Sequence, residues 1–161
     1  MIQTENLTYQ YKKNEPIFSF PDIALSKKEN LLILGNSGIG KTTLLHLLAG
    51  LLKPATGKIL INEVTLSSLK NNKLDQFRGK YIGLVFQEKH ALQSLNVIQN
   101  LKARLFFSNE NIDKNKILIL LAQLGLLKFK NSKINELSEG QLQRLSIALS
   151  VIHSPQVILA D

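Results

Sequence analysis

An α/β fold is predicted for this 161-residue chain by three local patterns. A short continuous apolar run, NLLILG (residues 30–35), passes into a glycine-rich stretch. The stretch leads straight into an apolar helix pattern, TTLLHLLAGLL, that stops near Pro54. Further on, QVILAD (residues 156–161) reads as a buried strand with an aspartate at its C-terminal end, which is where open α/β sheets place their ligands.

The remaining elements follow in order. Residues 2–25 hold short, partly alternating segments (NLTYQY, IFSF, IAL) interrupted by Pro16 and Pro21, a pattern that suggests an edge hairpin or small antiparallel sheet. KILI (58–61) and YIGLVF (81–86) read as two more strands, and residues 100–130 read mostly as helix. A last helix pattern starts near Ser138 and puts Leu142, Leu145, Leu149 and Ile152 on one face. No repeat and no low-complexity linker divides the chain. The expected organisation is one partial domain: an antiparallel part and loop-bearing core over 1–86, a helical subdomain over 87–150, and a strand over 155–161.

Composition limits the function classes. A hydrophobic content of 44% suits a globular core, and the absence of cysteine removes disulfides, thiolate metal sites and a cysteine nucleophile. The first sixteen residues lack the layout of a secretory signal. The longest nearly uncharged run, ILILLAQLGLL (117–127), is shorter than the roughly 20 residues of a spanning helix, so a cytoplasmic chain is expected. The net charge of +8 is spread in lysine pairs without interleaved aromatics, which argues against a specific nucleic-acid partner. A solvated face, or one close to anionic lipid, accounts for it equally well.

The glycine-rich stretch carries the chemistry. Gly35, Gly40, Lys41 and Thr42 satisfy G-x-x-x-x-G-K-[ST], with Asn36, Ser37, Gly38 and Ile39 forming the arc between the glycines. In such a loop, backbone N–H groups and the positive end of the following helix face phosphate oxygens. Lys41 would reach the β- and γ-phosphates of ATP and the Thr42 hydroxyl would bind Mg²⁺, while Thr43 is a candidate for the α-phosphate.

LSEGQLQRLSIALS (137–150) opens with Ser138 and Gln141 at the spacing of a helix capping box. Taken alone, capping suffices to explain it. In company with the phosphate loop, a glutamine (Gln87) after the 81–86 strand and the strand ending in Asp161, the whole chain resembles the ATP-binding cassette (ABC) transporter ATPases. The TTLLHLLAGLLKPATGKI and FRGKYIGLVFQ stretches are similar to the lipoprotein-release and macrolide-export group of that family.

The resemblance implies an ABC-type P-loop NTPase core with an N-terminal antiparallel part and an inserted helical subdomain. It implies that residues 35–43 are the Walker A loop, that Gln87 lies near Mg²⁺ and the attacking water, and that Asp161 is the Walker B aspartate holding Mg²⁺ through water. Residues 137–141 would be the signature segment. Tyr11 aligns with the aromatic that stacks on adenine, with Tyr9 as the alternative. The implied partners are a second ATPase subunit, paired head to tail so that Ser138 and the Gly140 N–H face the γ-phosphate held by the other subunit's Lys41, and transmembrane permease subunits. The implied location is peripheral, on the inner face of the cell membrane.

Two positions depart from the family pattern. Glu139 stands where glycine is usual, and its carboxylate is expected to point away from the nucleotide, stabilised by the helix N-terminus. Leu149 stands where many relatives carry arginine, so a polar contact on that helix is expected to be missing. The family places a glutamate directly after the Walker B aspartate and a switch histidine on a later strand. Measured against that pattern, 1–161 lacks the C-terminal part of the core. It is therefore expected to be inactive alone, with residues 30–34 and 157–160 exposing apolar surface. His46 is expected in a helix, and His90 and His153 on surface loops. Three function classes follow: a transporter ATPase, a DNA-repair-type cassette ATPase, and a nucleotide-binding subunit that does not hydrolyse. The short interval of about 50 residues between Gln87 and Leu137 favours the transporter, because the repair class places a long coiled coil there.

Overall fold

The computed structural model describes residues 2–86 and 91–161, so Gln87 and His90 lie outside the described residues. The chain divides into two compact units, Met1–Asp75 and Gln76–Asp161. No described helix is long and apolar enough to cross a membrane.

In the first unit, β1 (Ile2–Tyr9), β2 (Phe18–Ser19), β3 (Ala24–Leu25), β4 (Thr56–Ile61) and β5 (Val64–Thr65) form one antiparallel sheet. The order is β2-β1-β4-β5, with β3 also pairing β1. The expected N-terminal antiparallel part is present, and the KILI run joins it as β4. Alternation along β1 buries Ile2 and Thr4. The register then shifts between Glu5 and Thr8, where Asn6 adopts φ 48°, and the bulge turns Leu7 inward. β4 returns into β5 through Asn62 and Glu63, both at positive φ as a two-residue hairpin of the strand-matching hand requires.

Helix α1 (Lys41–Leu48) follows the glycine-rich loop and buries Thr43, Leu44, Leu47 and Leu48. It ends where Gly50 turns to φ 66° and the Leu51 N–H reaches back to the His46 carbonyl. His46 is a helix residue, as expected.

Residues 30–34 depart from the sequence reading. They form no strand, and Leu31, Leu32 and Leu34 are 48%, 78% and 81% exposed. An apolar run becomes a strand only when neighbours pair its backbone groups. No described strand pairs with this segment, so the run joins no ladder.

Helix α2 (Asn71–Tyr81) has no counterpart in the sequence reading, and Phe77 is its single buried residue. In the second unit, β6 (Ile82–Val85) pairs in parallel with β7 (Val157–Ala160), Ile82 opposite Val157 and Val85 opposite Ala160. Helices α3 (Val97–Phe107), α4 (Lys114–Gln123) and α5 (Glu139–Val151) make up the helical part. The expected helix over 100–130 is thus two helices. Ser108 closes α3, its hydroxyl donating to the Arg104 carbonyl, and Asp113 caps α4 by accepting from the Asn115 and Lys116 N–H groups. Val97, Leu101 and Leu105 of α3, at i, i+4 and i+8, meet Ile117 and Leu121 of α4 and Leu145 of α5 in one buried cluster. The face predicted for α5 is the one that packs there, with Leu142 and Leu149 at its margin.

One expectation about this unit is corrected. His153 is not on a surface loop but 2% exposed. Its Nε2 lies 2.8 Å from an Arg104 guanidinium nitrogen, and the same guanidinium donates to the Ile82 carbonyl at 3.2 Å and to the Leu149 carbonyl at 3.3 Å. Leu149 brings no polar side chain to α5, and its backbone carbonyl accepts from Arg104 of α3. The same Nε2 also lies 3.2 Å from the Ile82 carbonyl, so it faces a donor and an acceptor at once. The buried Nδ1 has no partner among the described residues.

Burial, and then the neighbouring Arg104 and Lys116 charges, push the His153 pKa down from 6.5 to about 4, against the opposing effect of the Ile82 carbonyl. The unfolded chain therefore binds the proton first as pH falls. Stability should be level above pH 6.5 and decline between 6.5 and about 4, by on the order of 2 kcal/mol from this group. Urea midpoints across that range should fall more steeply for the wild-type chain than for His153→Gln. Parallel pH profiles would contradict the assignment.

Candidate functional site

The phosphate-loop candidate lies in the first unit. Gly38 and Gly40 adopt φ 82° and 100°, left-handed conformations that let the chain double back before α1 begins. At Gly40 space is limiting as well, since a Cβ there would sit 2.8 Å from the Phe18 ring. Gly40 is the N-cap of α1 and brings no side-chain hydrogen bond to the helix start. The first-turn N–H groups thus form an end suited to an anion. The Lys41 ammonium donates to the Gly35 and Asn36 carbonyls at 2.9 and 2.8 Å, which holds its charge against the loop arc formed with Ser37 and Ile39.

Beside the loop stands a row of aromatics. Tyr11 meets Tyr9 edge-on at 4.8 Å and Phe18 at 6.1 Å, and Phe18 stacks on Phe20 at 6.3 Å. Tyr11 is 52% exposed, and its hydroxyl lies 2.8 Å from the Thr43 hydroxyl. Of the two tyrosines considered for base stacking, Tyr11 is the more exposed and the one tied to the loop helix.

The second unit carries the other candidates. Asp161 follows β7, and its N–H donates to the Val85 carbonyl at 3.0 Å, so the aspartate sits beside the C-terminal end of β6. That is the ligand end of a parallel pair. Gln87 follows that same strand end in sequence and lies outside the described residues. Residues 92–96 are held by Asn100, which belongs to no motif in the sequence. Buried on α3, Asn100 accepts from the Leu92 N–H at 2.7 Å and donates to the carbonyls of Leu92, Leu95 and Asn96. A buried amide on a core-facing helix position is the signal for such a clamp.

At the start of α5 the capping box forms. The Ser138 N–H donates to Gln141 Oε1 at 2.8 Å, whereas the reciprocal bond from the Gln141 N–H to Ser138 Oγ is long at 3.4 Å. Ser138, Glu139 and Gly140 are exposed. Nothing lies within 4 Å of where a Gly140 Cβ would be, so packing inside this chain does not demand glycine there. Glu139 occupies the first turn, where its charge favours the helix dipole.

Among the described residues no cluster of three His, Cys, Asp or Glu could hold a metal ion. Of the residues to which the sequence assigns Mg²⁺, the described ones, Thr42 and Asp161, carry oxygen donors, the ligand type that cation takes alongside phosphate and water oxygens.

Fold and loop together define a P-loop nucleotide-binding α/β protein. A profile of the ABC transporter family matches residues 21–161, and the chain belongs to that family. It is 37% identical over 166 residues to the lipoprotein-releasing system ATP-binding protein LolD of Buchnera aphidicola subsp. Schizaphis graminum, covering all of this chain and 72% of that protein. It is 38% identical over 142 residues to the bacitracin export ATP-binding protein BceA of Halalkalibacterium halodurans, covering 87% of this chain and 56% of that one. An ATP-binding cassette solved as a dimer in a post-hydrolysis state with ADP and Pi superimposes on the whole chain and 73% of its own length, with a TM-score of 0.90 and 31% identity.

Proposed function

We propose that this chain is the ATP-binding subunit of an ABC transporter for export or lipoprotein release, working as a head-to-tail pair on membrane permease subunits. The observation that carries this reading is the loop at Gly35 to Thr43. Its lysine is held against the loop carbonyls and its helix start has no side-chain cap. LolD and BceA, named for lipoprotein release and bacitracin export, support the direction of transport.

In this reading Lys41 and the first-turn N–H groups of α1 bind the β- and γ-phosphates of ATP, Thr43 the α-phosphate, and the exposed face of Tyr11 the adenine. Thr42, Asp161 and Gln87 hold Mg²⁺, directly or through water, and Gln87 also orients the attacking water. Bound Mg²⁺ supplies charge neutralisation at the phosphates. Ser138, with its slack capping bond, and the N–H of exposed Gly140 meet the γ-phosphate held by the partner subunit.

Ser138→Arg separates the two halves of the proposal. MgATP should bind the variant monomer as it binds the wild type, while ATP-dependent self-association in sedimentation velocity disappears. Equal loss of monomer binding would put Ser138 in its own chain's site. Retained association would leave residues 137–141 as a capping box alone.

A further inference from the structure

The hydroxyl of Tyr11 has no role in stacking, yet it is the group that the fold fastens. We propose that Tyr11 is a positioning residue for the phosphate loop, its hydroxyl orienting the Thr43 hydroxyl so that one side chain serves both the base and the phosphate ends of a nucleotide. The inference rests on the nucleotide site proposed above.

Thr43 is 5% exposed, the third residue of α1, and the Tyr11 hydroxyl at 2.8 Å is the side-chain partner its Oγ1 has among the described residues. A threonine in a helix divides its χ1 between two wells, so a bond from outside the helix selects one of them. In the proposed arrangement the phenol donates and Thr43 Oγ1 accepts, which leaves the threonine proton for an anion. Hydroxyls linked in that order polarise one another and strengthen the terminal donor.

Tyr11 is in turn fixed from the side. Its ring meets the edges of Tyr9 and Phe18, and Phe18 lies against Gly40 at the end of the loop. Half of the Tyr11 surface stays exposed for a planar ligand. The aromatic row therefore touches the loop at two points, Gly40 through Phe18 and Thr43 through Tyr11.

Tyr11→Phe keeps the ring and removes the link. Affinities for MgADP and for base-free magnesium tripolyphosphate, measured by calorimetry, should fall together by about two- to tenfold, the size of one net hydrogen bond. In a cycle with Thr43→Val, the double variant should bind tripolyphosphate no more weakly than Thr43→Val alone. Wild-type affinity of Tyr11→Phe for tripolyphosphate, or a loss confined to MgADP, would overturn the link while leaving the nucleotide site intact. Failure of the wild-type chain to bind either probe would overturn the site reading, and the link with it. Because Tyr11 is exposed, an unchanged thermal midpoint should accompany the variant and exclude a folding defect.

Discussion

Replacing Lys41 by alanine should weaken MgATP binding about ten- to a hundredfold. Hydrogen bonds to charged groups contribute roughly 1.5–3 kcal/mol, and each 1.4 kcal/mol is tenfold in affinity. The ammonium already donates to the Gly35 and Asn36 carbonyls, so phosphate competes with two neutral acceptors for a charge it binds more strongly. Adenosine, which has no phosphate, should bind the variant and the wild type alike. Calorimetry with both ligands, alongside circular dichroism, reads the difference directly. Undiminished MgATP affinity in a folded Lys41→Ala chain would remove the phosphate role from the loop, whereas parallel losses for adenosine would point to a collapsed loop. Lys41→Arg should not restore full affinity, because a planar guanidinium cannot replace a compact ammonium between the same carbonyls.

That loop was legible because everything that shapes it is local. Gly38 and Gly40 in left-handed conformations, a lysine and a helix start lie within seven residues, from Gly35 to Lys41. The same holds at Ser138, whose capping partner Gln141 is three residues away. What escaped the sequence depends on distant partners. The run 30–34 has the composition of a buried strand, yet its ladder would have to come from elsewhere in the chain. His153 reads as a turn residue because the arginine that captures it is 49 positions earlier on α3. Asn100 looks like an indifferent polar residue until the fold brings Leu92 and Leu95 over it. Helix α2 is hidden because so little of it is buried that no apolar period marks it.

Gly83 is another residue whose importance is set by a distant neighbour, and it carries the second large effect. In the middle of β6, a Cβ added at Gly83 would run into the Ser150 carbonyl near the end of α5 and stand 2.9 Å from the Pro155 ring. Neither is the far end of a flexible side chain, so β6 must move away from the turn that links α5 to β7. Overfilling of this kind costs about 1–3 kcal/mol and occasionally more, a sizeable part of the roughly 5–15 kcal/mol that holds a domain together. Gly83→Ala should therefore lower the thermal midpoint by roughly 2–12 °C, taking about 2–4 °C per kcal/mol for a chain of this size. The displacement would also reach the candidate site, because Val85, two residues along the same strand, accepts the Asp161 N–H. If Asp161 holds Mg²⁺, the variant should lose more of the Mg²⁺-dependent part of ATP affinity than of the Mg²⁺-free part, even at temperatures where it stays folded. A midpoint within a degree of the wild type would show that α5 and Pro155 yield to the added methyl. An unchanged Mg²⁺ increment in a destabilised variant would separate the β6–β7 pair from metal binding.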